Sequence, residues 1–300
     1  MSAAASPITA MDSVEPARKH PVKTAFGCPR DFLDNHFIYV VVSARARGLS
    51  IGINMNPDQR CNFDCVYCEV DRERPSLERD LDIQVMADEL RRTLELVRSG
   101  HLRDRDGFRG IGRELMALRH VALSGDGEPT LCPNFSEVVQ AAVHVRACNS
   151  SEFFKLVLIT NGTGLDFRAV QDSLRYFTGD DEIWVKLDAG SQPYMDRVNR
   201  SKAPLEKVIS NIKLVGRQRP IIVQSLFPMI DGKEPAAEEI NEYVLRLKDL
   251  KDAGAQINLV QIYSATRPTA HIECSHLPLK SLSRIAQRVK SETGLKAEVF

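Results

Sequence analysis

Three cysteines, Cys61, Cys65 and Cys68, fall within one short stretch of the chain. Three residues separate the first pair and two separate the second. Thiolates are soft ligands for iron and zinc, and this spacing clusters three of them while leaving a fourth coordination position unassigned. An iron–sulfur cluster with one open iron fits that arrangement better than a closed structural site, and the open iron is where chemistry would occur.

Other roles for the cysteines are limited by what surrounds them. Seven cysteines scattered over 300 residues, with no secretory signal before them, do not form a disulfide framework. A structural zinc site needs a fourth soft ligand at short spacing, whereas the next cysteine is Cys132 and the next histidine is His101. A zinc-binding interaction module remains the non-enzymatic alternative.

The composition predicts a folded protein with one large domain. Hydrophobic residues make up 43% of the 300 residues, which is enough for a sizeable core. Residues 1–20 are rich in Ala, Ser and Pro and predict a disordered leader rather than a signal peptide. No apolar run approaches the length of a membrane span, so we expect no membrane partner. A thiolate cluster and unpaired cysteines favour a reducing cytoplasm.

Short apolar runs alternate with amphipathic segments beyond the cysteines, a pattern typical of βα repeats and a parallel sheet. A strand at 48–55 leads directly into the cysteine loop. Further strands are predicted at 120–124, 156–160, 183–187, 220–226 and 257–263, with helices at 82–98, 136–147, 167–176, 205–216 and 236–253. Six parallel strands are too few for a closed eight-stranded barrel, so we expect an α/β fold with an open, partial (βα)6 barrel.

The chain then divides into four parts by its predicted elements. We expect a disordered leader at 1–20, an N-terminal extension at 21–48, the partial-barrel core at 49–263 and a C-terminal tail at 264–300. Leu282, Ile285, Ala286 and Val289 recur at helical spacing, so the tail should contain a closing helix. Residues 296–300 predict a final strand.

Polar residues stand where the predicted strands end, at the edge where parallel α/β folds bind ligands. The strand at 120–124 runs into Gly125-Asp126-Gly127-Glu128, and glycine there permits close backbone approach. The next two strands end at Asn161 and Asp188. Each of these residue types also forms ordinary turns and caps, but their position at successive strand ends favours a shared ligand site.

Lys186 is the one catalytic candidate besides the cysteines. Strand alternation places Trp184, Lys186 and Asp188 on one face, so Lys186 is predicted to point into the barrel. A lysine there must be desolvated or paired. Pairing with Glu128 or Asp188 is the structural alternative, and a Schiff base or proton transfer is the catalytic one.

The cysteine loop resembles a known signature. Cys-x3-Cys-x-aromatic-Cys, with Tyr67 as the aromatic residue, is similar to the motif of the radical S-adenosylmethionine (SAM) superfamily. The resemblance implies that the cysteines hold a [4Fe–4S] cluster whose fourth iron is chelated by SAM. It further implies reductive cleavage of SAM to a 5′-deoxyadenosyl radical, hydrogen abstraction from an unidentified substrate, and an external electron donor of the flavodoxin or ferredoxin type.

The strand-end residues carry the same resemblance. Gly127, Glu128 and Pro129 match the family's Gly-Gly-Glu-Pro motif, which binds the SAM amino group, while Asp126 departs from its usual pattern. In that family, polar residues equivalent to Asn161 and Asp188 contact the ribose and carboxylate of SAM. The resemblance therefore implies a SAM site formed by the residues Tyr67, Gly125, Gly127, Glu128, Asn161 and Asp188.

Weaker similarities point to the branch that contains the wyosine tRNA-modifying synthases. They lie in four strings: Ser50-Ile51-Gly52-Ile53-Asn54, Asp188-Ala189, Asn199-Arg200 and Tyr263-Ser264-Ala265-Thr266-Arg267-Pro268. This likeness makes tRNA a candidate substrate. The synthases carry a second cluster on additional N-terminal cysteines, whereas only Cys28 lies upstream here.

Charge gives no general support for RNA binding. The 40 basic and 40 acidic residues cancel, while nucleic-acid binders usually carry a basic footprint. A local basic arm between residues 18 and 47 would either hold tRNA or form a solvated extension; its members are Arg18, Lys19, Lys23, Arg30, Arg45 and Arg47. A polar group in the tail predicts a substrate lid or an anion site, formed by Arg267, His271, Glu273, Cys274 and His276.

Overall fold

The computed structural model describes residues 26, 32–70, 72, 80–148, 153–267, 269 and 271–300. The leader predicted at 1–20 and most of residues 21–31, Cys28 included, lie outside this part of the chain. The described residues form a mostly parallel sheet with helices in the connections between its strands.

The strands of the main sheet are β1 (Ile38–Ser43), β2 (Gly48–Asn54), β3 (Leu118–Ser124), β4 (Lys155–Thr160), β5 (Glu182–Lys186), β6 (Ile221–Leu226), β8 (Ile257–Tyr263) and β10 (Ala297–Val299). Within the described residues these eight strands follow one another in that order across the sheet. β1 pairs antiparallel with β2, and every other neighbouring pair is parallel. A small second sheet joins β7 (Pro228–Ile230) to β9 (Cys274–His276).

The helices are α1 (Ile83–Arg98), α2 (Phe135–Cys148), α3 (Arg168–Ser173), α4 (Gln192–Val198), α5 (Leu205–Gln218), α6 (Ala237–Asp252) and α7 (Leu279–Thr293). α1 begins where the Asp82 carboxylate accepts a hydrogen bond from Val85 N–H (3.0 Å), which satisfies one free donor of the first turn. No helix in the described ranges is long and apolar enough to cross a membrane.

The two faces of the sheet differ in polarity. One face carries fully buried aliphatic side chains that pack under the helices, as Val185 of β5 does near Val208 of α5. Burying each such side chain stabilises the fold by about 1.5–3 kcal/mol. The opposite face of the same strands carries polar residues such as Ser50, His120 and Lys186, which line cavities. The apolar core therefore lies between sheet and helices, and the inner face remains available for ligands.

A buried ion pair fixes one helix to the sheet. Arg146 of α2 lies 2.7 Å from Asp181, and the two side chains are 7% and 0% exposed. The Asp181 carboxylate also accepts hydrogen bonds from Leu156 N–H (2.6 Å) and Thr178 N–H (2.7 Å). These bonds compensate the cost of burying its charge and hold the turn before β5 against the start of β4.

Side chains join the two edges of the open sheet. β1 and β10 are not paired with each other in the described part of the chain. In the turn between β1 and β2, Arg47 forms an ion pair with Glu298 of β10 (2.6 Å), and the Arg45 guanidinium lies 4.4 Å from the centre of the Tyr263 ring. The sheet is thus an incomplete barrel whose gap is spanned by side chains rather than by backbone bonds.

The predicted α/β partial barrel is confirmed, and its six core strands correspond to β2, β3, β4, β5, β6 and β8. The closing helix and final strand correspond to α7 and β10. The helix predicted at 167–176 was too long, because α3 ends at Ser173 and a 3-10 turn follows over Leu174–Tyr176. Three features were not predicted: β1, α4 and the small β7–β9 sheet.

Candidate active site

The three cysteines lie in the loop after β2, and their side chains line one cavity of about 280 Å³, here called the cysteine cavity. Backbone hydrogen bonds hold this loop against the end of α4. Asp64 N–H donates to the Asn199 carbonyl (3.0 Å), and Val66 N–H donates to the Val198 carbonyl (2.9 Å). The unpredicted helix α4 therefore positions the cysteine loop.

The thiols of Cys61 and Cys65 are desolvated and receive hydrogen bonds at sulfur. Burial raises the pKa of Cys61 to about 11 and the pKa of Cys65 to about 12. Cys61 Sγ accepts a hydrogen bond from Phe63 N–H, and Cys65 Sγ accepts one from the Asn199 amide, each at 3.4 Å. N–H donors to sulfur are contacts that iron–sulfur ligands use, and a metal must displace the thiol protons when it binds.

The donor set suits a cluster of several irons better than a single ion. Cys61, Cys65 and Cys68 supply three thiol donors, not four, to the border of one cavity. A structural zinc ion requires four ligands at about 2.0–2.3 Å, whereas the cysteines of a cluster each bind a different iron and stand farther apart. The three thiols therefore fit a [4Fe–4S] cluster.

The loop after β3 packs directly on the segment before the first cysteine. Gly125 has φ 142°, a conformation that side chains rarely adopt. A Cβ at Gly127 would overlap the Arg60 carbonyl oxygen, and that same oxygen accepts a hydrogen bond from Glu128 N–H (2.9 Å). The two glycines thus allow the backbones of the two loops to touch.

Asp126, which departs from the family motif, has a structural role here. Its carboxylate accepts a hydrogen bond from Asn54 Nδ2 (2.8 Å), and its N–H donates to Asn54 Oδ1 (3.0 Å). Asn54 is the last residue of β2. Asp126 therefore fixes the glycine loop to the strand that leads into the cysteines.

Glu128 lines the cysteine cavity, but its side chain is almost fully buried and its carboxylate accepts hydrogen bonds from two loops. Oε1 accepts hydrogen bonds from Thr130 N–H (3.1 Å), the Thr130 hydroxyl (2.7 Å) and the Thr160 hydroxyl, while Oε2 accepts one from Asn161 N–H (2.7 Å). Burial raises the pKa of Glu128, and these donors act against that rise. Asn161 in turn donates through Nδ2 to Asn62 Oδ1 (2.8 Å) in the cysteine loop.

Asp188 lies behind the cavity rather than on its wall. Its Oδ2 accepts hydrogen bonds from the Tyr67 hydroxyl and from Asn199 Nδ2 (2.8 Å), and its Oδ1 accepts one from Leu226 N–H (2.8 Å). Its side chain is 1% exposed. The geometry favours a positioning role for Asp188, which orients Tyr67, over direct contact with a ligand.

Lys186 points into the cavity, as the strand alternation predicts. Nζ lies 3.2 Å from the Tyr263 hydroxyl, 3.6 Å from Asp188 Oδ1 and 4.8 Å from the centre of the Tyr67 ring. Burial alone would lower the pKa of Lys186, but the Asp188 carboxylate and the Tyr263 hydroxyl raise it above its ordinary value. The predicted pairing with Asp188 is therefore present, and Lys186 carries a positive charge next to the cysteines.

Ion pairs and one histidine–carboxylate contact join the C-terminal segment to the cysteine loop. Arg267 lies 2.5 Å from Glu69, and His271 Nε2 lies 3.7 Å from Asp64. Arg200 lies 3.8 Å from Asp64 and also forms an ion pair with Glu273 in the tail. Arg267, His271 and Glu273 of the tail are therefore tied to the loop that carries the cysteines, and the substrate-lid and anion-site roles stay predictions.

The site residues predicted from the sequence thus fall into two groups. The residues that line the cysteine cavity are Cys61, Cys65, Tyr67, Cys68, Gly125, Gly127, Glu128, Asn161 and Lys186. Asp188 supports that wall from behind. The sequence drew attention to Asn199-Arg200 only as a weak family similarity and gave Asn199 no role in the site. Asn199 contacts Cys65, Tyr67 and Asp188 through one amide group, and its position 134 residues from Cys65 gives no sign of that contact in the chain.

Comparison with known proteins settles the family. A sequence model described as the Radical SAM superfamily matches residues 55–244, which include the cysteine loop, the glycine loop and α4. The chain belongs to the radical SAM superfamily. Membership confirms a [4Fe–4S] cluster and SAM as its cofactors, and it decides against the zinc module that the cysteine spacing left open.

Relatives of this radical SAM protein are distant in sequence. A UPF0026 protein of Helicobacter pylori is 22% identical over 266 residues, which cover 88% of this chain and 73% of the relative. Streptococcus suis SuiB bound to S-adenosylmethionine superposes with a TM-score of 0.56 and 14% identity over 82% of this chain, which spans 49% of SuiB. A structure of TYW1 with a lysine–pyruvate adduct bound superposes with a TM-score of 0.55 and 14% sequence identity. The match covers 87% of this chain and 86% of the TYW1 chain. At this identity the structures establish a shared fold.

Proposed function

We propose that this radical SAM protein holds its cluster through Cys61, Cys65 and Cys68, binds SAM in the cysteine cavity, and abstracts hydrogen from a substrate at the same mouth of the barrel. One observation carries the proposal: three thiols from one loop and the ends of β3, β4 and β5 line a single cavity. When bound, the two cofactors supply reductive cleavage of SAM and hydrogen abstraction.

The protein's own residues orient the cofactors and exclude water. Gly125 and Gly127 let the glycine loop lie close to the ligand as well as to the cysteine loop. Glu128, with a carboxylate fixed by donors from two loops, is our candidate for orienting the SAM amine, and Asn161 is our candidate for a polar contact beside it. Asp188 acts through Tyr67, whose ring closes the cavity on the side of Lys186.

Anaerobic reconstitution with iron and sulfide tests the assignment. We expect about four irons per chain and release of 5′-deoxyadenosine when SAM and a reductant are added. Cys65→Ala should lose both. Cys148→Ala, which changes an exposed thiol on α2, is the matched control and should retain both. A Cys65→Ala protein that binds full iron and releases 5′-deoxyadenosine would disprove the ligand assignment.

Reduction of the cluster requires an electron from outside the chain. We propose a donor of the flavodoxin or ferredoxin type, because such proteins deliver single electrons at the low potentials of many iron–sulfur centres. Release of 5′-deoxyadenosine with a reduced flavodoxin or ferredoxin, in place of dithionite, is the expected result. Release of 5′-deoxyadenosine with dithionite but with neither reduced flavodoxin nor reduced ferredoxin would argue against this class of donor.

A tRNA-modifying role is the alternative within the enzyme class, and the fold shared with TYW1 favours it. Two members of the predicted basic arm are already engaged within the fold, since Arg47 pairs with Glu298 and Arg45 stacks on Tyr263. If tRNA is the substrate, bulk tRNA should bind at physiological salt and dissociate steeply as salt rises. If bulk tRNA does not bind, a small molecule or a peptide becomes the favoured class of substrate.

For Lys186 we infer the role of a fixed cation beside the cluster rather than that of a nucleophile. A Schiff base forms only from a neutral amine, and Asp188 with Tyr263 raises the pKa of Lys186. The positive charge would offset the negative charge of the thiolates around Cys65. The lysine–pyruvate adduct seen in TYW1 makes the nucleophilic role the competing hypothesis.

A further inference from the structure

A second cavity of about 470 Å³ adjoins the cysteine cavity, and we call it the inner cavity. The two share lining residues, including Arg45, Tyr67 and Tyr263, so they connect at the level of the strand ends. From there the inner cavity extends along the inner face of the sheet to Ser50 and His120 near the middle of β2 and β3. Its volume is within the range of small-molecule sites.

Aromatic rings and a few placed polar groups form its walls. The rings include those of Tyr39, Tyr67, Trp184, Tyr263 and Phe300. His120 Nε2 and the Ser50 hydroxyl lie 2.8 Å apart, and burial lowers the pKa of His120 to about 3, so its imidazole is neutral. A small-molecule ligand with an apolar body and one polar end matches a lining of this kind.

The charges of the lining side chains indicate which polar group a ligand of this cavity should carry. Among the described lining residues the ionisable side chains of Asp, Glu, Lys, Arg or His type, besides His120, are Arg45, Glu69 and Arg267, and Glu69 pairs with Arg267 at 2.5 Å. Arg45 forms no ion pair with any carboxylate side chain in the described ranges, and its guanidinium lies 4.4 Å from the centre of the Tyr263 ring. One uncompensated cation, held by stacking at the junction of the two cavities, matches a ligand with a single negative charge.

We propose that the inner cavity binds a small carboxylate with a planar apolar body, its carboxylate on Arg45 and its body against Trp184. A guanidinium and a carboxylate form paired hydrogen bonds, and Arg45 at the junction holds the anion within reach of the cysteine cavity. This inference rests on the proposed function, because the bound carboxylate is then the substrate or resembles it. It also favours a small molecule over tRNA.

The chain contains a single tryptophan, Trp184, which lies in the wall of the inner cavity and reports on its occupancy. Benzoate is the probe, benzyl alcohol its neutral analogue and phenyl phosphate its dianionic analogue. Trp184 emission is followed on the iron-free full chain, and calorimetry is performed on the reconstituted protein without SAM or reductant. We expect benzoate to change Trp184 emission saturably and to bind more tightly than both analogues.

Substitutions in the β1–β2 turn locate the carboxylate. Arg45→Gln should weaken benzoate binding roughly tenfold to a hundredfold, because it removes a charge-assisted contact. Arg45→Lys should retain part of the affinity. Arg47→Gln is the matched control, two residues away with a side chain 70% exposed, and should leave the affinity within about twofold.

Several results would overturn the proposal. The proposal is wrong if benzoate does not bind at tens of millimolar, if benzyl alcohol binds as tightly as benzoate, or if phenyl phosphate binds more tightly than benzoate. It is also wrong if Arg45→Gln protein, with a circular dichroism spectrum that matches the parent, binds benzoate with unchanged affinity. Because none of these measurements uses SAM cleavage, they separate this inference from the proposed function. If the protein releases 5′-deoxyadenosine but fails the benzoate tests, the proposed function stands and the proposed carboxylate site is wrong.

Discussion

Acidification should destabilise this protein through one buried histidine. His120 is 2% exposed, and burial, assisted by the positive charges of Lys155 and Arg45, lowers its pKa to about 3. In the unfolded chain its pKa returns to about 6.5. Below a pH of about 6.5 the unfolded state therefore takes up a proton that the folded state does not. The contribution of His120 to the free energy of unfolding is fully present above a pH of about 6.5 and is lost progressively as the pH falls toward about 3.

The magnitude follows from those two pKa values. Between pH 7.5 and pH 5, the proton taken up by the unfolded state alone lowers the free energy of unfolding by about 2 kcal/mol. His120→Gln keeps a side chain that can hydrogen bond to the Ser50 hydroxyl but removes the titration. Urea unfolding of the reduced, iron-free chain, followed by circular dichroism at both pH values, measures the loss in parent and variant.

We expect the parent to lose about 2 kcal/mol more than His120→Gln over this interval. The comparison cancels other titrating groups, including Glu128, whose raised pKa acts with the opposite sign because its folded state is the better proton acceptor. An equal loss in parent and variant would refute the reasoning. It would mean that His120 is hydrated or protonated in the fold, and the inner cavity would then carry an additional positive charge.

Three further substitutions or treatments test other parts of the structure. Gly127→Ala should reduce iron incorporation severalfold, because its methyl group overlaps the backbone before the first cysteine. Gly112→Ala is the control, since there is open space around Gly112, and it should not reduce iron incorporation. Equal iron contents in the two variants would contradict this packing. Pyruvate with cyanoborohydride should leave the Lys186 peptide unmodified in mass spectrometry, and an adduct there would revive the nucleophilic role. Arg146→Ala should cost about 3–5 kcal/mol in urea unfolding by leaving a buried carboxylate unpaired. Arg91→Ala, at an exposed pair, should cost at most about 1 kcal/mol, and similar losses for both would refute the distinction.

The core of the fold was predictable because buried strands have a local signal. β4 and β8 were located within one residue of their ends, since each carries apolar side chains on the face that packs under the helices. β1 has an equally clear apolar run, Ile-Tyr-Val-Val-Val, but was assigned to an extension. Its turn into β2 is Ala44-Arg45-Ala46-Arg47, which lacks the Gly, Asn or Pro that normally indicates a hairpin, even though Arg47 adopts a positive φ of 55°.

The candidate site was predictable only where chemistry and sequence spacing coincide. Cys61, Cys65 and Cys68 act within one loop, so their relation is visible in the chain itself. Asn199 and Arg45 reach the same region from α4 and from the β1–β2 turn, and nothing local distinguishes them from a helix cap and a surface cation. Their roles depend on which strands become neighbours, and that information exists only in the folded sheet.

The two faces of the sheet separate the residues of the inner cavity from the apolar core. The cysteine cavity is built from loops at the strand ends, where Glu128 and Asn161 tie the loops to one another. The inner cavity is built from side chains such as His120 and Trp184 within the strands, whose opposite face packs under the helices. A substitution on the inner face changes the shape or charge of the inner cavity while leaving the apolar core and the cysteine loop in place. We therefore expect variants at inner-face positions to alter which small molecules bind while iron content stays constant, and a coupled loss of iron would show that the two cavities form one structural unit.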